Sequence, residues 1–362
     1  MIIIILLTLF FIILRFSVTL FNFISNPKLT RVDKHYNDKV SILIPARNEA
    51  ENILTLLNSL QSQDYQNYDV TILDDASTDD TYAICNAFTT EHPRFKIIKG
   101  DALPAGWIGK NYACYQLAKH ADGKYLLFLD ADEQVKPGLI NSAVYRMHLK
   151  QLGLLSLFTN QEMISTGERL VVPLMHFILL NLLPIRLVYL AKNASVAAAS
   201  GQFMLFDATL YHKHQWHKVA KDKVVEDVEI MRLVKSQAYN GEALLANGMI
   251  SCRMYKSYND ALEGFSKNFL AAFNYSIIGL LCFMLLVIIG PSVILLTLNL
   301  PLIFFMSGLI ILTRIMISLS TGQSVLYNVF YHPLQMLSML IIAILSIQKH
   351  ITNTTVWKGR KI

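Results

Sequence analysis

The sequence predicts an α/β domain with a mostly parallel sheet, carried between apolar helices near both ends of the chain. Three observations lead there. Charge is missing from two long stretches: Met1 to Ser25 holds Arg15 alone, and Tyr275 to Gln348 holds Arg314 alone. The residues between them have ordinary mixed composition, enough for one good-sized core or two small ones. Within that middle part, short apolar runs alternate with helical spacings, and three of the runs end in polar, mostly acidic clusters. Over its 362 residues the chain is 53% hydrophobic and only 16% charged, with a mean hydropathy of +0.40. Since a typical soluble domain is about 25% charged, this composition excludes a disordered tail protein, a disulfide mini-domain and an ordinary soluble enzyme. The net charge of +6 suits an anionic leaflet or an anionic substrate. No Lys/Arg block points to a nucleic-acid partner. Cys85, Cys114, Cys252 and Cys282 show no CxxC spacing and read as reduced thiols.

Taken in order, Met1–Ile24 is an apolar run of spanning length without the basic n-region or cleavage site of a signal peptide. It reads as an uncleaved anchor. Lys28, Arg31 and Lys34 follow it, which places the next domain on the cytoplasmic side. Near the other end, Tyr275–Thr313 is too long for one helix and reads as a hairpin broken near Pro291 and Asn299-Leu-Pro301. A further span is expected over about Leu334–Gln348, then a basic tail from Lys349 through Lys361, read as cytoplasmic. Three C-terminal spans would put that tail outside, so one of them is expected to be re-entrant or interfacial. Leu170–Leu190 is apolar but holds Pro173, His176, Pro184 and Arg186. It reads as a buried or interfacial helix pair rather than a span.

The middle domain opens with the strand Val40–Ile44, which stops at Pro45. Ile53, Leu54, Leu56, Leu57 and Leu60 then recur at helical spacing. Asp69–Leu73 is the next strand and closes on Asp74-Asp75. Thr81–Phe88 is helical, Phe95–Ile98 a strand, Asn111–His120 helical, and Tyr125–Leu129 a strand ending in Asp130-Ala-Asp132. This alternation implies parallel strands with right-handed crossovers. Ligands of such sheets sit beyond the carboxyl ends of the strands. The three clusters, Pro45-Ala-Arg47-Asn48-Glu49, Asp74-Asp75 and Asp130-Ala-Asp132, therefore belong on one rim.

Each cluster has a bland reading beside a chemical one. Asp130-Ala-Asp132-Glu133 on its own could be a solvated turn. At the end of Tyr-Leu-Leu-Phe-Leu it reads as carboxylates that repel unless a cation separates them, and oxygen ligands suit Mg²⁺ or Mn²⁺. Such a cation would neutralise a diphosphate leaving group. In Asp74 to Asp80, Ser77 or Thr78 could cap a helix whose dipole favours Asp79 and Asp80. Asp75 could meanwhile accept the imide N–H of a uracil. Arg47 could meet a phosphate, or pair with Asp75. Lys110, after Gly109 and near a helix start, could meet phosphate or merely enter the helix. Glu226-Asp227 could supply a carboxylate base toward an acceptor hydroxyl, or begin an exposed helix face with Glu229 and Arg232. His212, His214 and His217 around Trp216 read as a polar loop at the membrane face rather than a zinc site.

Ser41-Ile-Leu-Ile-Pro45-Ala-Arg47-Asn48-Glu49, Asp74-Asp75-Ala-Ser77-Thr78-Asp79, Asp130-Ala-Asp132 and Glu226-Asp227 follow one another as in the family 2 glycosyltransferases, which this chain resembles over about residues 39–235. The resemblance implies a GT-A nucleotide-sugar domain. It implies that Pro45, Arg47 and Glu49 line the nucleotide pocket and that Asp75 holds the base. Asp130 would contact the ribose or metal region, Asp132 would bind the cation, and Glu226 or Asp227 would act as base. The reaction would be inverting transfer from a UDP-sugar, with glucose the expected sugar. Gly109-Lys110-Asn111-Tyr112-Ala113-Cys114-Tyr115-Gln116, Arg253-Met254-Tyr255, Glu263-Gly264, Phe265-Ser266-Lys267-Asn268, His332-Pro333-Leu334 and Trp357-Lys358-Gly359-Arg360 are similar to the membrane-anchored branch. That branch includes the carotenoid-acid (4,4'-diaponeurosporenoate) enzymes and hopanoid-associated relatives. Two departures matter. No Gln-x-x-Arg-Trp follows the acidic motif, so a polymer product is not expected. Tyr211–Lys223 also lacks the Gly-Gly pair common before that motif.

The expected organisation is an anchor (1–24), a cytoplasmic GT-A domain (25–274, with interfacial helices at 170–190), a transmembrane region (275–348) and a basic tail (349–362), in a multi-pass protein of the cell membrane. The expected partners are a UDP-sugar, an apolar lipid or carotenoid acceptor such as a carotenoid carboxylic acid, and membrane lipids. A carboxylic acid is already an anion at neutral pH, which lessens the need for a base. A polyprenyl phosphate or diacylglycerol acceptor, or a non-catalytic membrane scaffold of the same fold, are the alternatives.

Overall fold

A computed structural model describes residues 2–352, 354, 356–357 and 360–361. The chain divides into two compact units. One comprises Pro27–Asn160 and Arg186–Arg253; the other comprises the residues up to Asn26, Gln161–Ile185, and those from Met254 on. These boundaries fall inside the expected 25–274 domain, because Gln161–Ile185 and the residues just after Met254 group with the apolar helices.

The first unit is built on a seven-stranded sheet. Strands β1 (Val40–Ala46), β2 (Tyr68–Asp74), β3 (Phe95–Lys99) and β4 (Tyr125–Leu129) run parallel in the order β3-β2-β1-β4. β1, β2 and β4 are almost wholly buried, as strands covered on both faces require, whereas the edge strand β3 is only partly buried. The strand Phe203–Asp207 then joins β4 in antiparallel register, with Leu129 opposite Phe203 and Tyr125 opposite Asp207. It also pairs antiparallel with β6 (Leu152–Phe158), which in turn pairs parallel with Asn240–Leu245. A short strand, β5 (Glu133–Val135), leaves the main sheet and pairs antiparallel with Ile250–Cys252, setting Glu133 opposite Cys252. The core joins strand residues such as Ile42, Ile44, Val70 and Leu127 to Ile53, Leu56, Leu57 and Leu60 of the helix Ile53–Gln61. Each such side chain contributes roughly 1.5–3 kcal/mol by leaving water.

The region around Trp216 differs from its expectation. It is not a polar loop. Trp216 is fully buried, His217 is buried with its Nδ1 2.7 Å from the Tyr211 hydroxyl, and the Trp216 indole N–H donates to Gln237 Oε1 at 3.0 Å. Burial holds the His217 imidazole down to about 3, so it sits there uncharged.

Among the described residues, the second unit holds four helices long and apolar enough to cross a membrane: Ile2–Ser25, Ile277–Leu296, Leu300–Thr321 and His332–Thr352. Pro291 does not break its helix. A π-helical turn at Leu285–Ile289 precedes it, and Pro291 falls in the first turn of the segment Gly290–Leu296. The wider turn removes the hydrogen bond that proline cannot make. The actual break lies at Thr297–Asn299, where Leu298 adopts φ +55° and the Asn299 side chain accepts from Leu302 N at 3.2 Å. The next helix stops at Gly322, whose φ of +71° ends it in the left-handed conformation. Thr166–Val171 and Pro173–Leu182 also belong to this unit, the former held by a capping box between Ser165 and Glu168. Four crossings would put the chain beyond Thr352 on the face opposite residues 26–276. The expected cytoplasmic domain and cytoplasmic tail are incompatible with four crossings. In the Trp357-Lys358-Gly359-Arg360 motif, Lys358 and Gly359 lie outside the described residues.

Candidate active site

The strand register brings the acidic clusters to one edge. Ala46 of β1 lies opposite Asp74 of β2, and Leu43 lies opposite Phe128 of β4. Continuing that register sets Pro45 level with Asp130. Asp75 and Asp130 thus follow the two strands on either side of β1 and flank its tip. The loops after β1 and β2 are laced together. Arg47 Nη1 donates to the carbonyls of Asp75 (2.5 Å) and Ala76 (3.0 Å). Asn48 N donates to Ser77 Oγ at 3.0 Å, Thr78 N donates to Asn48 Oδ1 at 2.8 Å, and Glu49 N donates to Thr81 Oγ1 at 2.7 Å. Ser77 and Thr78 are therefore occupied with the neighbouring loop rather than capping the next helix. The N-cap position is Asp80, whose side chain makes no capping hydrogen bond; Asp79, one residue earlier, accepts from Thr81 N at 3.1 Å. Arg47 meets the backbone of Asp75. Asp75 itself is buried, with its N–H donating to Ala46 O at 2.8 Å.

Lys110 is the second residue of the helix Gly109–Lys119. Its Nζ lies 2.6 Å from Asp130 Oδ1 and 3.8 Å from Glu226 Oε1, and donates to Gly201 O at 3.4 Å. Burial alone would pull this ammonium down, but Asp130 and Glu226 outweigh it and raise it. Asn111 fixes the approach of the acidic helix: its Nδ2 donates to Ala220 O (2.8 Å) and Lys223 O (3.1 Å). Glu226 begins the helix Glu226–Ser236 and is buried, not on an exposed face. Burial raises its carboxyl to about 7, against the pull of Lys110. Asp227 accepts from Gly201 N at 2.8 Å and Val228 N at 2.7 Å. Burial raises it too, while those donors and Lys110 oppose the shift.

The Asp130 to Glu133 segment splits by direction. Asp130 turns to Lys110. Asp132 accepts from Cys252 Sγ at 3.3 Å, and burial, then the charges of Asp130 and Glu49, push it up to about 6. Glu133 turns inward: its Oε1 accepts from Gln202 Nε2 at 2.7 Å, while its Oε2 is buried without a hydrogen-bond partner. Asp132, Glu133 and Cys252 offer ligand atoms within 4.8 Å of one another. Repelling carboxylates and an orphaned buried oxygen fit a divalent cation. Asp132 and Glu133 are the carboxylates with an oxygen in that group, whereas Asp130, the second expected ligand, is engaged by Lys110.

Sequence reasoning missed Gly201, Gln202 and Cys252. The antiparallel strand Phe203–Asp207 begins where β4 ends, so the residues before it reach the same edge, with Asp130 N donating to Gln202 O at 3.2 Å. The small polar triplet Ser200-Gly201-Gln202 before an apolar strand was the available signal. Space at Gly201 is tight: a Cβ there would lie 3.1 Å from Lys110 Nζ and 3.2 Å from Glu226 Oε1, so those side-chain ends would have to shift by a few tenths of an ångström.

Residues 41–214 match the profile of Glycosyl transferase family 2. Over 236 residues the chain is 26% identical to 4,4'-diaponeurosporenoate glycosyltransferase of Staphylococcus haemolyticus (strain JCSC1435), covering 63% of this chain and 60% of that protein. Over 240 residues it is 25% identical to the protein of the same name from Staphylococcus aureus (strain MRSA252), covering 65% and 62%. The chain thus spans about 60% of the length of these curated relatives. Among solved structures it is similar to the mannosyltransferase PcManGT from Pyrobaculum calidifontis in complex with GDP-Man and Mn2+. The TM-score is 0.56 at 16% identity, over 97% of this chain and 100% of that one. This last likeness is one of fold.

Proposed function

We propose, from the premise that residues 41–214 are a family 2 glycosyltransferase domain, that the chain moves a sugar from a UDP-sugar to a lipid-soluble acceptor with inversion at the anomeric carbon. The observation that carries the reading is Lys110 held between Asp130 and Glu226, at 2.6 and 3.8 Å, on the same sheet edge as Asp75. A cationic side chain among buried acids at strand ends suits an anionic, hydrogen-bonding donor. The relatives' name supports a carotenoid carboxylic acid as acceptor. The domain is read as cytoplasmic, where UDP-sugars are available.

In this reading Asp75 receives the base, with Arg47 and Pro45 shaping the loop around it. Asp132 would hold Mg²⁺ or Mn²⁺, which when bound neutralises the diphosphate leaving group, while Asp130 stays paired with Lys110. Lys110 adds a fixed positive charge on that side. The acceptor oxygen forms its bond to the anomeric carbon as the bond to the diphosphate oxygen breaks, the electron pair leaving with the nucleotide. A carboxylic acid acceptor arrives as its anion, so no proton must be removed. Glu226 and Asp227 then orient Lys110 and the Gly201 backbone; toward a hydroxyl acceptor, Glu226 is the base whose raised affinity suits proton removal near neutral pH.

The test is incubation of membranes containing the protein with UDP-glucose, Mn²⁺ and extracted carotenoid acids, read by mass spectrometry. The expected result is an acceptor ester heavier by one hexose, absent with Asp132→Ala. Glycosylated polyprenyl phosphate or diacylglycerol without the ester would replace the acceptor assignment. No hexose product beyond that of membranes lacking the protein would favour the non-catalytic scaffold, and product unchanged with Asp132→Ala would remove Asp132 from the reaction.

A further inference from the structure

Within the unit of apolar helices lies a cavity of about 220 Å³ to which the site residues named above do not contribute. Arg169, Gln161, Gln323, Tyr327 and Asn328 line it, together with Pro173 and Met163. No lining residue is acidic. Arg169 sits on the helix Thr166–Val171 with its guanidinium carbon 4.2 Å from the centre of the Tyr327 ring. Among the described residues, the Arg169 side chain has no carboxylate partner.

The wall behind it is a preorganised polar network. Gln335 Nε2 donates to Arg169 O at 2.8 Å and to Asn328 Oδ1 at 3.1 Å. Asn328 Nδ2 donates to Gln323 Oε1 at 2.8 Å and to Ser318 Oγ at 3.0 Å, and Gln323 Nε2 lies 3.1 Å from His176 Nδ1. Behind Asn328, the fully buried Arg314 donates to Asn328 O at 3.1 Å and to Gln335 Oε1, both neutral acceptors. Arg169 is thus the guanidinium that lines the cavity, and Arg314 stands behind its wall. A half-buried guanidinium without a carboxylate partner, walled by neutral polar groups, gains charge-assisted hydrogen bonds from an oxygen anion seated against it.

We propose that this cavity holds the carboxylate headgroup of an apolar acceptor, with Arg169, stacked on Tyr327, as its charged partner. The inference rests on the acceptor class proposed above and adds the residues that recognise it. Its volume suits a headgroup and not a whole polyene, so the tail would lie along the apolar helices. The planar guanidinium suits a planar, two-oxygen anion better than a point charge does.

The experiment uses the purified full-length protein in lipid nanodiscs. Three probes share one chain: retinoic acid (carboxylate), retinyl phosphate (phosphate) and retinol (neutral). Quenching of intrinsic fluorescence reads the affinity of each. The expected result is retinoic acid binding roughly tenfold or more tighter than retinol, with that advantage lost in Arg169→Gln and partly kept in Arg169→Lys. Tyr327→Leu, which leaves the charge but removes the ring under it, should weaken retinoic acid binding less than Arg169→Gln. UDP-glucose binding to Arg169→Gln, measured in parallel, reports whether the variant is folded. Equal binding of retinoic acid and retinol, or retinoic acid binding indifferent to Arg169→Gln, overturns the proposal, as does retinyl phosphate binding tightest of the three. Because the readout is acceptor binding, it stands apart from the catalytic reading, whose failure would appear as absent turnover with the carboxylate preference intact.

Discussion

Lys110 stands between Asp130 and Glu226, and replacing it with Met leaves both carboxylates without their cation. Since the pair is about a quarter exposed, the expected cost is about 3 kcal/mol of stability, with UDP-sugar affinity falling more than tenfold. Chemical denaturation and donor titration measure the two separately. Glu226 gives a pH signature. Its carboxyl is raised from 4.5 to about 7 by burial, so the folded chain binds the proton more tightly than the unfolded chain. Its contribution therefore favours the fold below about pH 4.5 and is lost as pH rises through about 7. Thermal melts of metal-free protein should show lower stability at pH 8 than at pH 5, and Glu226→Gln should flatten that difference. At this scale Asp75, Asp130, Asp132, Glu226 and Lys110 were legible because strand ends and acidic clusters can be read along the chain. Gly201, Gln202 and Cys252 were not, since they reach the site only through antiparallel pairing with β4 and β5, which no local pattern encodes.

Elements tell a similar story. β1 to β4 and their helices fall within one to three residues of their expected ends, because continuous apolar runs and helical spacings are local signals. The fold class holds as well: an α/β, GT-A-like domain with a mostly parallel sheet and long apolar helices near both ends. The misjudged element is the helix Ile277–Leu296, where Pro291 suggested a break that a π turn absorbs. Its close approach to the helix Ile2–Ser25 gives a test. A Cβ at Gly290 would lie 2.1 Å from Thr8 Oγ1, whereas one at Gly308 meets nothing within 4 Å. Gly290→Leu should cost roughly 1–3 kcal/mol by overpacking, and Gly308→Ala close to nothing. Melting temperatures in detergent compare them.

For the whole molecule, the proposal joins a water-soluble donor site to a chain with four helices able to cross a membrane. A soluble nucleotide sugar and an apolar acceptor share no solvent, and membrane attachment removes that mismatch. Reporter fusions after Lys34 and after Ile362 should report opposite faces if all four helices cross, with the Lys34 fusion cytoplasmic; the same face for both would mean that one helix does not cross. The most direct measurement of the central claim is calorimetric titration of UDP-glucose into purified full-length protein with Mn²⁺, with EDTA, and with Asp132→Asn. Binding at least tenfold weaker in EDTA, and an Asp132→Asn protein indifferent to Mn²⁺, is the predicted result. Equal affinity with and without the metal, or Mn²⁺-dependent binding that survives Asp132→Asn, would contradict it.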